Sequence, residues 1–173
     1  RNVTGVQTCA LPIYFLGRVA DCVQKYAPAV MIQPDLWHET PILVRATWGD
    51  GLYFALSDVR TAGCFALDLC EAIAKTRWQE DLKFSTELEL RIALHCGPVH
   101  LGRDPITGLP NGTGTHVSRA ARLEPKTPPN HVYASEAFAS LVAEQGVTEF
   151  NCEYVKLLDW AKHYRSEEHT SEL

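Results

Sequence analysis

The chain has 173 residues, with 16 Lys and Arg against 21 Asp and Glu and a net charge of −5. That balance excludes the basic field a nucleic-acid-binding domain needs, and no apolar run approaches the ~20 residues of a membrane span. The length is that of one domain with a substantial core.

The two ends read differently from the rest. Residues 1–13 (RNVTGVQTCALPI) and 165–173 (RSEEHTSEL) resemble translations of sequencing-library adapter DNA read on opposite strands. They are expected to be non-native and are set aside from fold reasoning. The authentic segment is then 14–164, expected to be cut at both ends, and its charges are 14 Lys and Arg against 18 Asp and Glu. Of six cysteines, Cys9 lies in the leader. Cys22, Cys64, Cys70, Cys96 and Cys152 are scattered without C-x-x-C spacing. An unpatterned, odd set in apolar segments predicts reduced thiols in a cytoplasmic protein rather than a disulfide frame or zinc site.

Phe15, Val19 and Val23 recur at helical spacing, with Leu16 and Ala20 beside them, and predict an amphipathic helix over 15–26 that Pro28 ends. Pro34 and Pro41 bracket a loop carrying Trp37, His38 and Glu39. Adjacent His38 and Glu39 point in divergent directions, which favours a solvated loop over a metal site. Residues 42–47 and 52–56 read as the strands of a hairpin around Gly49-Asp50-Gly51. A carboxylate beside a tight glycine turn can reach a hard cation, so Asp50 is the candidate metal ligand; a plain D-G turn is the other reading.

Ser57 or Asp58 can cap the next helix, whose stripe is Ala62, Phe65, Ala66, Leu69 and Ile73. A polar connection is expected over 78–87. Residues 88–95 then alternate as a strand with one buried face, on which His95 reads as a packed or solvent-facing side chain. The stretch 102–114, with its glycines and with Pro105 and Pro110, is expected to be a long functional loop without elements of its own. Residues 115–123 predict a helix with Val117, Ala120 and Ala121 inward. Residues 131–134 predict a strand, followed by a helix that Ser135 caps and Gly146 stops. Residues 147–150 and 152–158 suggest paired strands. The order predicts an α+β domain in which helices cover a mainly antiparallel sheet, a β-α-β-β-α-β core lacking its first strand.

Three ordered segments, W-G-D-G-L-Y-F-A-L, L-R-I-A-L-H-C-G-P-V and G-T-H-V-S-R-A-A-R-L-E-P, resemble the signature segments of the class III adenylate/guanylate cyclase catalytic domain, in a bacterial subgroup. The resemblance covers nearly all of 14–164. It implies a ferredoxin-like fold acting as a head-to-tail homodimer with no membrane segment in this part. The implied reaction is attack of the ribose 3′-oxygen of a nucleoside triphosphate on its own α-phosphate, giving a 3′,5′-cyclic nucleotide and pyrophosphate for intracellular signalling. Two divalent cations, Mg²⁺ or Mn²⁺, are implied as cofactors.

By the same resemblance Asp50 matches the second of two metal-binding Asp residues, and the first belongs to a strand before the opening helix. The fragment itself is therefore expected to be inactive. Arg122 matches the transition-state arginine, and Ser118 stands where an asparagine is usual. Ala46 and Asn111 occupy the two base-reading positions, where adenylate cyclases carry Lys and Asp, so the base stays open and ATP is favoured by family frequency. Lys162 matches a triphosphate-contacting lysine. The alternative is a non-catalytic cyclase-homology module that binds nucleotide or dimerises, which Ala46, Asn111 and Ser118 favour. A diguanylate cyclase or polymerase palm would need a different acidic hairpin.

Overall fold

The computed structural model describes residues 5–27, 40–48, 51–82, 87–158 and 168–172. Helix α1 (Gly5–Tyr26) is followed by strands β1 (Ile42–Trp48) and β2 (Gly51–Leu56), then helices α2 (Val59–Lys75) and α3 (Trp78–Leu82). Next come β3 (Arg91–Leu94), β4 (His100–Arg103), β5 (Pro110–Thr113) and α4 (Thr115–Leu123), which runs into a 3-10 turn at Glu124–Lys126. Strand β6 (His131–Ser135), helix α5 (Glu136–Glu144), β7 (Glu153–Leu158) and β8 (Glu168–Glu172) complete the order.

The mixed helix-and-strand architecture with antiparallel sheets, expected from the sequence, is the one observed. A four-stranded sheet has the order β3-β6-β8-β7. Within it β3 and β6 run parallel, while β8 pairs antiparallel with both β6 and β7. Two antiparallel hairpins, β1–β2 and β4–β5, stand beside it. No helix among the described residues is long and apolar enough to cross a membrane.

Helix α2 is the spine of the core, and its beginning is set locally. The Asp58 carboxylate accepts the Thr61 N–H at 2.7 Å, satisfying one of the orphan donors of the first turn. The expected stripe, Ala62, Phe65, Ala66, Leu69 and Ile73, is buried. One side of α2 packs Phe65, Leu69 and Ile73 with Val19 of α1 and Ile42 of β1, and Phe65 meets the rings of Tyr26 and Phe54 edge-on. The other side places Val59 and Ala62 against Ala134, Phe138, Val142 and Phe150, joining α2 to β6 and α5. Gly63 lies directly under Phe150: a Cβ there would stand 2.2 Å from the ring's Cζ. At the α1–α2 seam, Asp68 accepts hydrogen bonds from Lys25 and Tyr26.

Several sequence expectations are revised, beginning with α1, which starts at Gly5 rather than at Phe15. Trp78, placed in a polar connection, is fully buried in the core and donates its indole N–H to the Ile73 carbonyl at 3.0 Å. It opens α3 because the Glu87 carboxylate accepts the N–H groups of Trp78 and Gln79 at 3.1 and 3.3 Å. A cap supplied from downstream leaves no local signature. The stretch 102–114 is largely the β4–β5 hairpin. Its turn is organised by Asp104, whose carboxylate accepts the N–H groups of Ile106 and Thr107 at 2.8 and 2.9 Å, with Gly108 in the left-handed region at φ 70°.

Strand β3 is shorter than the alternation suggested, because at Leu90 the main chain bonds to Asn130 instead of a strand partner. No strand forms at 147–150. There α5 ends in a paired cap, with the Val147 N–H on the Val142 carbonyl and the Gly146 N–H on that of Ala143, Gly146 taking φ 61°.

Candidate functional site

The candidate residues fall on two hairpins and one helix. On β1, Ala46 is paired with Tyr53 of β2. Strand β5 packs against β1, and the backbone of Gly112 comes so close to Tyr53 that an added Cβ would be 2.8 Å from the phenol oxygen and 3.1 Å from Val99. Asn111 precedes that glycine. Ala46 and Asn111, 65 positions apart in sequence, are thereby carried on adjoining hairpins whose contact is made by Tyr53 and Gly112.

Burial raises the Tyr53 phenol above its ordinary pKa. The Asn111 amide is half-buried and committed: its oxygen accepts the Gly112 N–H at 2.8 Å and its nitrogen reaches Asp104 at 3.5 Å. The Asp104 carboxyl is held below the usual carboxylate range by the backbone N–H groups of Thr107 and Ile106.

Helix α4 starts at Gly114, where no side chain caps it. Val117 and Leu123 are buried. Ala120 is half-buried, whereas Ala121, expected inward, is exposed. Ser118 and Arg122, four residues apart, are both exposed and lie one turn above the other. The helix therefore presents the two as one outward stripe. Arg122 occupies the last turn, where a cation also complements the helix dipole.

Behind that stripe is a cluster of polar side chains that sequence reasoning missed. His95 follows β3 directly; its Nδ1 lies 2.7 Å from the hydroxyl of Ser135, and its Nε2 lies 2.9 Å from Nδ1 of His116 in the first turn of α4. The two rings are 15° from parallel with centroids 5.1 Å apart. That separation is about what two five-membered rings joined end to end by such a contact require, so they share an in-plane hydrogen bond rather than a face stack.

Ser135 is buried, and its oxygen also accepts the Phe138 N–H at 3.3 Å as the cap of α5. Burial, then the neighbouring His116 and Arg119, pushes the His95 imidazole down to about 4. Gly97 leaves the space for this arrangement, since a Cβ on it would lie 2.1 Å from His116 Nδ1. The local sequence signal is faint: His95 and His116 are 21 positions apart, and only Gly97, two residues after His95, hints at a close approach.

Asp50 and Lys162 lie outside the described residues, as do His38 and Glu39. Among the described residues, no group of three His, Cys, Asp or Glu side chains could hold a metal ion. Cys22, Cys64, Cys70, Cys96 and Cys152 are free thiols, with Cys70 buried. Burial raises the thiol pKa of each, which leaves these groups poorly suited to nucleophilic chemistry. An open hollow of about 330 Å³ between α2 and the start of β6, lined by Asp68, Glu71 and His131 among others, touches none of the candidate residues.

Comparison with protein-family models and with curated proteins gives no match. Comparison with solved structures gives a consistent fold. The guanylate cyclase domain of RhGC from Catenaria anguillulae, in complex with GTP, matches with a TM-score of 0.69 at 15% identity, over 99% of this chain and 85% of that one. An adenylate cyclase from Trypanosoma brucei matches at 0.73 and 12% identity, over 96% and 80%. The adenylyl cyclase CyaB from P. aeruginosa matches at 0.68 and 16% identity, over 95% and 80%. The fold is thus that of adenylyl and guanylyl cyclase catalytic domains.

Proposed function

We propose that this chain is a nucleotidyl cyclase domain that closes a nucleoside triphosphate to its 3′,5′-cyclic monophosphate with release of pyrophosphate. The observation that carries the reading is the outward Ser118–Arg122 stripe of α4, standing next to the β5 hairpin in a fold shared with cyclase domains. A guanidinium at Arg122 offers a planar set of donors to the non-bridging oxygens of phosphorus, where negative charge builds up in the transition state. Ser118, one turn earlier, is assigned to the ribose. Ala46 and Asn111 line the base end, and Lys162 is assigned to the triphosphate.

Because the stripe faces away from the core of its own subunit, it serves a nucleotide held by a second copy, in a head-to-tail homodimer. Asp50 is the ligand assigned to Mg²⁺ or Mn²⁺; two such cations, when bound, supply Lewis-acid stabilisation of the attacking and leaving oxygens. The base is assigned as adenine on family frequency, and the setting as cytoplasmic signalling. The native segment is 14–164, and the 173-residue chain, with one assigned metal carboxylate, turns over slowly or not at all.

A second reading, a non-catalytic module that binds nucleotide or dimerises, is favoured by Ala46, Asn111 and Ser118, none of which is the residue usual at its position. One experiment separates the two. The parent protein containing 14–164 is incubated with Mn²⁺ or Mg²⁺ and each of the four common triphosphates, and products are resolved by chromatography. The catalytic reading expects one cyclic nucleotide, lost in Asp50→Asn and reduced about 10²-fold or more in Arg122→Ala. No cyclic product from any triphosphate sinks it in favour of the module.

A further inference from the structure

Helix α4 has an unusual beginning for an element that carries two site residues. Its N-cap is Gly114, which offers no side chain to the free N–H groups of the first turn. Val117 and Leu123 seat its apolar side against the core, while its first turn has no capping side chain of its own. Beside the buried Val117, the first turn is held by a polar tie from His116, which leaves the helix, covers Gly97 and ends on His95. His95 is in turn held from its other nitrogen by Ser135, a buried hydroxyl at the junction of β6 and α5. One imidazole thus ties together the end of β3, the first turn of α4 and the cap of α5.

We propose that His95 and His116 are positioning residues, whose imidazole-to-imidazole hydrogen bond, braced by Ser135, sets the rotation of α4 and hence the direction in which Ser118 and Arg122 face. The inference rests on the reading that Arg122 meets substrate, and it adds how that side chain is aimed. The direction of the bonds supports it. Ser135 can donate to His95 Nδ1, with His95 Nε2–H donating to His116; or His116 can donate to His95, with His95 donating to Ser135. Either way a single hydrogen lies between the rings. The arrangement is satisfied in both polarities and is broken when the two facing nitrogens both carry protons or both lack them. His116 lies six residues before Arg122 on a nine-residue helix, so a small rotation at the anchor is passed along a rigid rod to the guanidinium.

The test uses the 173-residue chain without nucleotide, labelled with ¹⁵N at histidine and arginine. A scalar coupling across the hydrogen bond, between His95 Nε2 and His116 Nδ1, is expected; its absence overturns the proposal. His116→Leu is expected to shift the Arg122 Nε–H resonance and to speed exchange of the α4 amides about tenfold, the effect of losing one well-formed hydrogen bond. His116→Asn, whose amide can reach the place of the lost Nδ1, is expected to restore both. Equal resonances and exchange rates in wild type, His116→Leu and His116→Asn overturn the proposal. If His116→Leu does not fold, the coupling in the wild-type chain decides. In the parent protein, His116→Leu should lower kcat with KM kept, and His116→Asn should recover it. Because the resonance measurements involve no triphosphate, their failure is distinct from a failure of Arg122→Ala to change turnover.

Discussion

Replacing Trp78 measures how far a five-residue helix contributes to this core. Trp78 is completely buried among Val19, Ala27, Ile42, Phe65, Leu69 and Ile73, the cluster in which α1, α2 and β1 meet. A tryptophan side chain buries on the order of 200 Å², which at about 25 cal/mol per Å² corresponds to about 5 kcal/mol of transfer free energy as an upper bound. Truncation to Ala also leaves a cavity, and measured losses for such changes are about 3–5 kcal/mol. Trp78→Phe separates the contributions. It keeps most of the apolar contact and removes the N–H donated to the Ile73 carbonyl, which still accepts the Thr76 N–H at 3.2 Å. Its expected cost is therefore smaller, about 1–2 kcal/mol. Urea denaturation followed by circular dichroism gives both values from midpoint and slope. A Trp78→Ala midpoint within about 1 kcal/mol of wild type would mean that the indole is solvated, and would refute this account of the core.

The remaining predictions concern separate contacts. Asp58→Ala removes the carboxylate that accepts the Thr61 N–H and should cost about 1 kcal/mol by the same denaturation assay, with Asp58→Asn retaining most of it. Gly63→Ala drives a methyl group into the Phe150 ring and should cost about 1–3 kcal/mol, relieved when Phe150 is shortened to Leu in the double variant. The pH dependence follows from His95. Its folded pKa of about 4 lies below the unfolded value of 6.5, so the unfolded chain takes up a proton first as pH falls. The neutral imidazole therefore contributes stability that is complete above pH 6.5 and is lost between there and about pH 4. Discounted for partial exposure to solvent, the loss should be about 1–2 kcal/mol, and it should vanish in His95→Asn. Asp58, Asp68 and Asp104 have carboxyls below their ordinary value of 3.8, so their losses should fall at lower pH, on a separate limb of the titration.

The parts of this structure that could be read from the sequence are those whose causes lie within one turn or one strand. The α2 stripe and its Asp58 cap, the β1–β2 pair, the extent of α4, and the start and stop of α5 at Ser135 and Gly146 all follow from spacing and local chemistry. What escaped depends on groups brought together from afar. Glu87 caps α3 across nine positions, and Asn130 ends β3 across forty. The β4–β5 hairpin was hidden because Gly102, Pro110, Gly112 and Gly114 interrupt any alternating pattern, while Asp104 supplies the turn through bonds that no periodicity reports. For the candidate site, the contact of Tyr53 with Gly112 and the bond between His95 and His116 are tertiary facts. Spacing placed each residue on an element and left open which of them would touch.

Among the described residues, every one assigned to substrate lies off the four-stranded sheet: Ala46 and Asn111 on separate hairpins, Ser118 and Arg122 on a helix. Helix α2 and strand β6 hold the core together with the buried side of β1, and the assigned positions stand outside that core. If the proposed base end is correct, substitutions at Ala46 and Asn111, neither of them a buried core residue, should leave the fold intact. A search for altered base preference under the proposed function is then confined to two positions whose variants should remain foldable.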